Sequence, residues 1–393
     1  MRILFASAVP PNSNCGGGRR TDLLLQSLAR RGTVTTVALG PPWPAAARSR
    51  AKSLSEALLD LTGGEPLAPD KDLRQRLGPV DFRFHPWRRI RQRISALHAS
   101  NPWDVVVHRY IHPFATLGPL PGATNLVDVD DLPSEVRSSA APAWNKGPLR
   151  RPHALLTARR LASAERALLE RATGLWVSAP THARTLGRED AVLLPNALPW
   201  PSSDPQTPRT DRPPTALFIG PLWHAPNREG LAWLLAEVWP RVRRRLPDAR
   251  LLMAGEGPTP LLTPNSGCDY LGFVPDAPGP GGLDALYQDC DLACAPLFSG
   301  SGTSIKVLEA LGRGLPCLAT PWAARHLDTG SAILRVREPE AWSDELVEML
   351  HARRRLGARA RRAAPEVRQS YGIQRFQGAV DQLLQLVRET VVG

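Results

Sequence analysis

The chain has 393 residues, a length that predicts about two domains of roughly 150 to 200 residues each. An apolar fraction of 42% and a charged fraction of 22% are typical of globular proteins and exclude a chain that is disordered throughout. The net charge of +12 predicts an anionic partner, such as a phosphate-bearing substrate, a membrane surface or nucleic acid.

Two features of the sequence bear on location. The first apolar run is too short for a signal peptide, and no segment approaches the roughly 18 apolar residues of a transmembrane helix. The five cysteines, at positions 15, 268, 290, 294 and 317, form no CxxC pair and have no histidines at metal-ligand spacing. We therefore expect a cytoplasmic protein.

The first half alternates between strands and helices, beginning with a βαβ pattern around a GGG loop. Strands are predicted at 2–7, 33–39, 104–108, 124–130 and 174–179, and helices near 19–31 and 153–172. This alternation predicts a parallel sheet that is covered by helices on both faces.

The same alternation restarts after residues 199–215, which are too rich in proline, serine and threonine for a core element and form the predicted linker. Strands are predicted at 216–220, 249–255, 268–274, 291–297 and 315–320, and helices near 227–245 and 303–313. The sequence thus predicts two α/β domains, 1–198 and 216–370, whose parallel sheets bind ligands at the carboxyl ends of their strands. It leaves open whether the C-terminal helix, 371–393, returns to the first domain.

Arginine is concentrated in three segments with helical apolar spacing, 159–171, 241–250 and 351–362. No stacking aromatics are interleaved with these arginines, which disfavours nucleic acid as the partner. The remaining interpretations are solvated helix faces and peripheral contact with an anionic membrane, at its inner face.

The stretch PLFSGSGTSIKVLEALGRGLP, residues 296–316, points most directly to a binding site. Its glycines let the backbone approach a ligand, and Thr303 or Ser304 can cap a helix whose free amides seat a phosphate. Lys306 and Glu309 are three residues apart and project from one helix face. Lysine suits a diphosphate and a carboxylate suits the hydroxyls of a ribose, so the pair predicts a nucleoside diphosphate site. A helix cap with a surface ion pair is the structural alternative.

This stretch resembles the donor-site signature of the retaining GT-B glycosyltransferases of the group 1 family, also called family four. In that family a glycine turn, a helix with a glutamate and a G-x-P-V-x-A/S-T segment follow one another. Further similar segments are FIGPLWHAPNREGLAWLLAEVWPRVRRRLPDARLLMAGEGP (218–258), LGFVPD (271–276), LLPNALP (193–199) and GGGRR (16–20). The resemblance therefore spans most of the chain.

The resemblance implies a GT-B fold, with two Rossmann-like domains that face each other across a cleft. The N-terminal half is expected to bind the acceptor, and the C-terminal half a nucleotide diphosphate sugar of the UDP or GDP type. It implies a hexosyltransferase that retains the anomeric configuration and requires no metal or other cofactor. The expected acceptor is a saccharide, a lipid-linked saccharide of envelope or exopolysaccharide biosynthesis, or a small molecule.

The resemblance also assigns residues to the donor site. Glu309 is expected to hold the ribose, Lys306 the diphosphate, and the backbone near Phe273 the base. The full set of implied donor-binding residues is Gly17, His224, Asn227, Phe273, Val274, Ser301, Gly302, Thr303, Ser304, Lys306 and Glu309. The residues expected at the reacting centre are His108, Lys306 and Glu309.

The sequence departs from the family at two positions. The family often has a second glutamate eight residues before the one that matches Glu309, but Ser301 stands there, which resembles a subgroup with GGGT-like loops. A basic residue after Gly220 is also missing, so that His224 or Asn227 is expected to substitute and Lys306 to carry more of the phosphate charge.

Candidates in the first half follow its strands. His108 and Arg109 end a predicted strand, so His108 is expected beside the transferred sugar and Arg109 on an acceptor phosphate, with a structural histidine as the alternative. Asp130 or Asp131 is expected to act as a base on the acceptor side or to cap the helix that begins near residue 134. Gly17, in GGGRR, is expected to border the donor diphosphate with Arg19 or Arg20 nearby, and Arg19 is also expected on the acceptor side. A tight turn between strand and helix is the alternative for these glycines.

Three rival interpretations stay open. The aspartates of VDVDD, residues 127–131, are spaced like the metal-binding pair of GT-A glycosyltransferases, although they lie in the half without the phosphate loop. A nucleotide-sugar epimerase or hydrolase of the same fold is the nearest enzyme alternative. The third is a non-catalytic protein that binds a nucleotide sugar or nucleic acid.

Overall fold

The computed structural model divides the chain into two compact units. Unit 1 consists of Met1–Asn196 and Ile373–Gly393, and unit 2 consists of Ala197–Gly372. The structure describes residues 1–12, 15–61, 87–139, 150–200, 211–260, 266–277, 279–327, 333–335 and 338–392. Most of the predicted linker, residues 201–210, lies outside the described residues.

Unit 1 contains, within the described residues, a sheet of seven parallel strands in the order β3-β2-β1-β4-β5-β6-β7. Its strands are β1 (Arg2–Ser7), β2 (Thr33–Ala38), β3 (Ala57–Asp60), β4 (Val105–Arg109), β5 (Thr124–Val129), β6 (Gly174–Val177) and β7 (Val192–Leu193). Its helices are α1 (Gly16–Ala29), α2 (Ala45–Leu54), α3 (Trp87–Ser100), α4 (Ile111–Leu117), α5 (Pro133–Ser139), α6 (Arg150–Leu169) and α7 (Pro180–Leu186).

Helices cover both faces of this sheet. On one face Val106 packs in a cluster with Ile94 of α3, and Val127 packs in a cluster with Phe114 of α4. On the other face lie α1 and the C-terminal helix of the chain, Ile373–Val392, which contacts α1 and β6. The buried Trp176 donates its indole N–H to the Ala379 carbonyl of that helix, at 3.1 Å.

Unit 2 contains, in the part of the chain that is described, a sheet of six parallel strands in the order β10-β9-β8-β11-β12-β13. Its strands are β8 (Thr215–Ile219), β9 (Arg250–Ala254), β10 (Cys268–Gly272), β11 (Leu292–Ala295), β12 (Cys317–Ala319) and β13 (Ile333–Arg335). Its helices are α8 (Ala225–Trp233), a π-helical segment (Leu234–Val238), α9 (Trp239–Arg245), α10 (Leu283–Gln288), α11 (Ile305–Gly312), α12 (Pro339–His351) and α13 (Arg353–Ser370), and the C-terminal helix of unit 1 is α14.

Alternate residues of β8 belong to the two faces of the second sheet. Leu217 packs in a cluster with Leu308 of α11, whereas Phe218 packs in a cluster with Trp233 of α8 and Trp342 of α12. The structure thus confirms the prediction of parallel sheets covered by helices on both faces. The sequence signal was the apolar runs that are typical of strands buried on both sides.

The predicted helix near 227–245 is less regular than expected. It begins as α8, passes through the π-helical segment and continues as α9. Pro240 lies in the first turn of α9, directly after the π-helical segment, and its nitrogen has no hydrogen to donate to the preceding turn. Among the described residues no helix has both the length and the apolar character needed to cross a membrane.

Candidate functional site

The site predicted in unit 2 lies at the carboxyl edge of its sheet. Because β8 and β11 are neighbouring parallel strands, the loops that follow them, 220–224 and 296–304, emerge at the same edge. Gly230 lets α8 pack directly on the end of β11, since a Cβ there would meet the Pro296 carbonyl oxygen. The beginnings of α8 and α11 therefore lie side by side.

Lys306 and Asn227 meet at this edge. The Lys306 ammonium donates to Asn227 Oδ1 at 2.6 Å and lies 4.8 Å from the centre of the Phe218 ring. Asn227 is itself fixed, because its Nδ2 donates to the Pro221 carbonyl at 2.9 Å. Gly220 has φ 144°, and a Cβ there would lie 2.8 Å from Asn227 Nδ2 and 3.0 Å from Lys306 Nζ. Three elements thus converge on one ammonium group.

The charge on Lys306 is held in an unfavourable environment. Burial lowers the pKa of Lys306 to about 7, although Cys317 and Glu309 partly offset this effect. Burial, followed by the nearby charges of Lys306 and Arg228, also lowers the pKa of His224. The side chain of Lys306 is only partly exposed. An anion bound beside it would favour the charged form.

The glycine loop before α11 has the left-handed backbone that its sequence predicts. Gly300 and Gly302 have φ 118° and 67°, conformations that other residues rarely adopt. Ser304 occupies the N-cap position, but its side chain makes no capping hydrogen bond, and its buried Oγ has no hydrogen-bond partner in the described structure. Thr303 is buried and Ser301 is partly buried.

Glu309 lies on the same helix as Lys306 and is 8% exposed. Its carboxylate accepts a hydrogen bond from the buried Tyr287 hydroxyl of α10, at 3.3 Å. Burial, reinforced by the Glu309 charge, raises the pKa of Tyr287 well above its ordinary value, so the phenol stays a donor. Arg313 lies 4.8 Å from the Tyr287 ring centre and donates to Asp284 at 2.8 Å. The sequence analysis missed Tyr287, which lies 22 positions before Glu309 in a separate helix.

The segment expected to meet a base follows β10. Phe273 is 50% exposed, whereas Val274 is partly buried against the core of unit 2. The loop after β9 ties this region to the loop after β8, because the Leu222 amide donates to the Glu256 carbonyl at 2.6 Å. Trp223, in the β8 loop, is 55% exposed and was not predicted, although a tryptophan between glycine and the helix cap was a visible signal.

In unit 1 the structure corrects the expectation for His108. Successive residues of a strand point to opposite faces of the sheet, and His108 points to the face covered by α4. Its ring packs edge-on against Phe114, with 5.0 Å between ring centres. The side chain is fully buried, and burial lowers its pKa to about 3, so the ring is neutral. His112, in the first turn of α4, is the exposed histidine of this segment.

Arg109 points to the opposite face and contacts the first turn of α1, which contains the glycines that were predicted as a loop. Its guanidinium donates to Asp130 Oδ2 at 2.9 Å and to the Gly17 carbonyl at 3.3 Å, and it lies 3.7 Å from the Tyr110 ring centre. Tyr110 has φ 77° and donates its hydroxyl to Asp130 at 3.1 Å. A Cβ at Gly17 would lie 3.1 Å from the Tyr110 hydroxyl. The structure therefore brings Gly17, Arg109 and Asp130 together.

The buried arginine of the GGGRR segment is Arg20, whereas the predicted Arg19 is partly exposed. Arg20 forms an ion pair with Asp128 at 2.6 Å and donates to the Leu194 carbonyl at 2.9 Å. Burial alone lowers an arginine's pKa, but Asp128 and Asp130 raise the pKa of Arg20 above its ordinary value. The metal interpretation of VDVDD is disfavoured, because Asp128 and Asp130 already bind Arg20 and Arg109.

Two further acids lie near this network. Burial, and then the charge of Asp130, raise the pKa of Asp131 to about 7. Ser134, in the first turn of α5, donates its backbone N–H to Glu165 of α6 at 2.7 Å. Glu165 therefore provides the partner that Asp130 was expected to supply as a cap.

The comparisons with known proteins agree with these observations. Residues 213–352 match the family model described as "Glycosyl transferases group 1". The phosphatidyl-myo-inositol mannosyltransferase of Mycobacterium tuberculosis is 32% identical over 155 residues, which is 37% of this chain and 38% of the relative. That of Mycobacterium leprae is 31% identical over 175 residues, which is 41% of this chain and 44% of the relative. The similarity thus covers less than half the length of these relatives.

Solved structures resemble nearly the whole chain. A glycosyltransferase from Rickettsia africae has a TM-score of 0.64 at 12% identity, over 99% of this chain and 98% of that one. HepE of Anabaena, solved with UDP and glucose, has a TM-score of 0.61 at 12% identity, over 98% and 99% of the two chains. These structures confirm the predicted GT-B type of fold, and the family match confirms the group 1 resemblance for residues 213–352.

Proposed function

We propose that this chain is a retaining glycosyltransferase, since residues 213–352 match the family model of the group 1 glycosyltransferases. It transfers a sugar from a nucleotide diphosphate sugar to an acceptor. The observation that carries this proposal is the convergence of Lys306, Asn227 and Gly220 at the carboxyl edge of the second sheet, beside the glycine loop that precedes α11.

The diphosphate is assigned to this convergence. The departing group of a glycosyl transfer accumulates negative charge on its phosphate oxygens, and fixed cations and amides stabilise that charge. Lys306 supplies the cation. Because Gly220 has no side chain, nothing at that position presses on the Lys306 ammonium group. The first-turn amides of α11 supply donors, since the Ser304 side chain makes no capping hydrogen bond to them.

The ribose is assigned to Glu309. Its carboxylate is on the same helix as Lys306, and Tyr287 orients it by a hydrogen bond. Two carboxylate oxygens can accept from two vicinal hydroxyls, which a diphosphate cannot offer. Phe273, half exposed after β10, offers an apolar surface for the base.

The acceptor is proposed to be a lipid-linked saccharide. The mycobacterial relatives are named for a phosphatidyl-myo-inositol acceptor, which supports a lipid in this role. The UDP and glucose in the HepE structure support a nucleotide sugar as the donor. The proposal assigns the stabilisation of the diphosphate charge to Lys306 and the helix amides and not to a metal.

Thermal unfolding in the presence of UDP, GDP, dTDP and ADP tests the donor site. A ligand at a hundred times its dissociation constant stabilises the folded state by about 2.7 kcal/mol. We expect nucleotides with one base to raise the unfolding temperature of the wild type. This increase should be lost in Glu309→Ala and kept in Glu348→Ala, the matched control, because Glu348 is an exposed residue of α12. If none of the four nucleotides stabilises the wild type, the donor-site assignment is wrong.

The reaction itself is tested by product analysis with the nucleotide sugar that binds. A transferase forms a glycoside only when an acceptor is present, and NMR of that product reports the anomeric configuration. Free sugar or an epimerised nucleotide sugar without acceptor would instead identify a hydrolase or epimerase.

A further inference from the structure

We propose that the outward face of α6 binds the surface of an anionic membrane. This inference goes beyond the proposed function, because the binding requires neither a donor nor transfer. It rests on which side chains of α6 are anchored, which are exposed and how the exposed ones are arranged.

The inner face of α6 is fixed to unit 1. Leu169 is fully buried in the cluster that contains Phe114, and Ala158 is 6% exposed. Glu165 is fully buried and accepts two hydrogen bonds from Ser134 of α5, from its backbone N–H at 2.7 Å and from its hydroxyl at 2.5 Å. This face cannot rotate outward without leaving the Ser134 donors unpaired.

Among the α6 residues whose exposure the structure describes, the exposed side chains lie on one side of the helix. At 3.6 residues per turn they cover about 140° of the circumference. From residue 155 onward they are Leu155, Leu156, Arg159, Arg160, Ser163, Arg166, Ala167 and Glu170, the last immediately after the helix. The regular spacing makes this a continuous surface, which we call the α6 face.

The α6 face has a distinct chemical order. Leu155 and Leu156, 41% and 50% exposed, lie towards the beginning of the helix, and Arg159 and Arg160 follow one turn later. Arg166 lies further along, and Glu170 is the one acidic residue among the described side chains of the face. Exposed leucines beside arginines match the boundary between acyl chains and anionic headgroups.

Other strongly basic helices lack the paired leucines. In α3, Arg89, Arg91 and Arg93 are exposed, but Leu97, at 37%, is the one exposed large apolar side chain among its described residues. In α13 the arginines 354, 355, 359 and 362 are exposed, but no large apolar side chain of that helix is exposed in the described structure. A surface with charge alone fits any polyanion, including nucleic acid. The paired leucines of the α6 face distinguish a membrane, since nucleic acid offers no apolar layer for them to enter.

Cosedimentation with phosphatidylcholine vesicles, with and without phosphatidylglycerol, tests this proposal on the full chain. We expect binding only to the anionic vesicles. The double variant Arg159→Glu/Arg160→Glu should reduce the partition coefficient at least about tenfold, because each basic residue near an anionic surface contributes on the order of 1 kcal/mol. Arg359→Glu/Arg362→Glu, on α13, is the control with the same change in net charge.

A second variant separates insertion from attraction. Leu155→Ser/Leu156→Ser leaves the charge unchanged, and we expect it to reduce vesicle binding several-fold. All four altered side chains are exposed, so thermal unfolding should match the wild type. Equal losses in the α6 and α13 charge variants would overturn the proposal, since binding would then follow net charge. Binding to duplex DNA but not to anionic vesicles, lost on reversal of Arg159 and Arg160, would overturn it as well.

Discussion

Lys306 donates to Asn227 across 2.6 Å, although 79 positions separate the two residues in the chain. The contact joins the beginnings of α8 and α11 and keeps an amine with a pKa of about 7 at the edge of the sheet. Asn227 occupies the region in which the resembling family usually has a basic residue. Lys306, from the other helix, places its ammonium group in this region.

The pKa of Lys306 predicts that nucleotide diphosphate binding weakens as the pH rises above 7. Only the ammonium form attracts the diphosphate, and above a pKa of about 7 the free protein loses that form. The bound diphosphate raises the pKa of Lys306, so binding takes up a proton between the two values. Titration calorimetry in buffers with different ionisation enthalpies measures this uptake directly.

Lys306→Arg is the control, because its guanidinium stays charged throughout the range. We expect it to remove the decline above pH 7, while any titration of the nucleotide itself remains. The pKa of His224 is lowered, so His224 is neutral throughout this range. If nucleotide affinity falls equally above pH 7 in Lys306→Arg and in the wild type, the pH dependence does not come from Lys306.

Gly220→Ala should weaken nucleotide binding at least about tenfold, because a Cβ would press on Asn227 Nδ2 and Lys306 Nζ and displace the ammonium. The new residue would also strain the backbone at φ 144°. Gly279→Ala is the control, since Gly279 has φ 95° but no atom within 4 Å of its Cβ position. If Gly220→Ala lowers the free energy of unfolding but leaves nucleotide binding unchanged, Gly220 has no role in the nucleotide site.

Ten of the thirteen described strands were predicted, and the clearest of them, such as β1 and β8, are apolar runs that the sheet buries on both faces. Strands β3, β7 and β13, which have only two to four residues, were not predicted. Helix α3 was missed, because its buried residues Ile90 and Ile94 form a narrow stripe in an otherwise polar segment. The spacing of Lys306 and Glu309 predicted that both side chains lie on one face of the helix. Their partners Asn227 and Tyr287 lie in other helices, and no local pattern indicates such long-range contacts.

The first unit shows a different limit of sequence reasoning. The chain pattern placed His108 and Arg109 at the end of a strand, but only the alternation of side chains decides which of them reaches Gly17 in the first turn of α1. The adjacent arginines 19 and 20 were indistinguishable in sequence, and burial separates them because helix α1 turns Arg20 towards Asp128. Tyr110 has a positive φ, and a tyrosine in the sequence does not indicate this backbone conformation.

Arg20→Met should destabilise unit 1 by about 3 kcal/mol, because it leaves Asp128 buried with only Arg109 as a cationic partner. Arg31→Met is the control. It removes an ion pair with Asp381 whose side chains are about half exposed, and such pairs contribute less than about 1 kcal/mol. Urea unfolding measures both changes, and equal effects would show that the Arg20 pair is not special.

Asp131→Asn should stabilise the protein at pH 8 and have little effect near pH 4. Burial and the Asp130 charge raise the pKa of Asp131 to about 7 in the folded state, against 3.8 as its ordinary value. A raised pKa stabilises the fold fully below the unfolded value, and this contribution is lost as the pH rises through about 7. Asparagine cannot ionise, so it removes this loss. Thermal unfolding between pH 4 and 8 checks the prediction, with the exposed Asp248→Asn as control. A pH-independent difference between the Asp131 variant and the wild type would contradict the assignment.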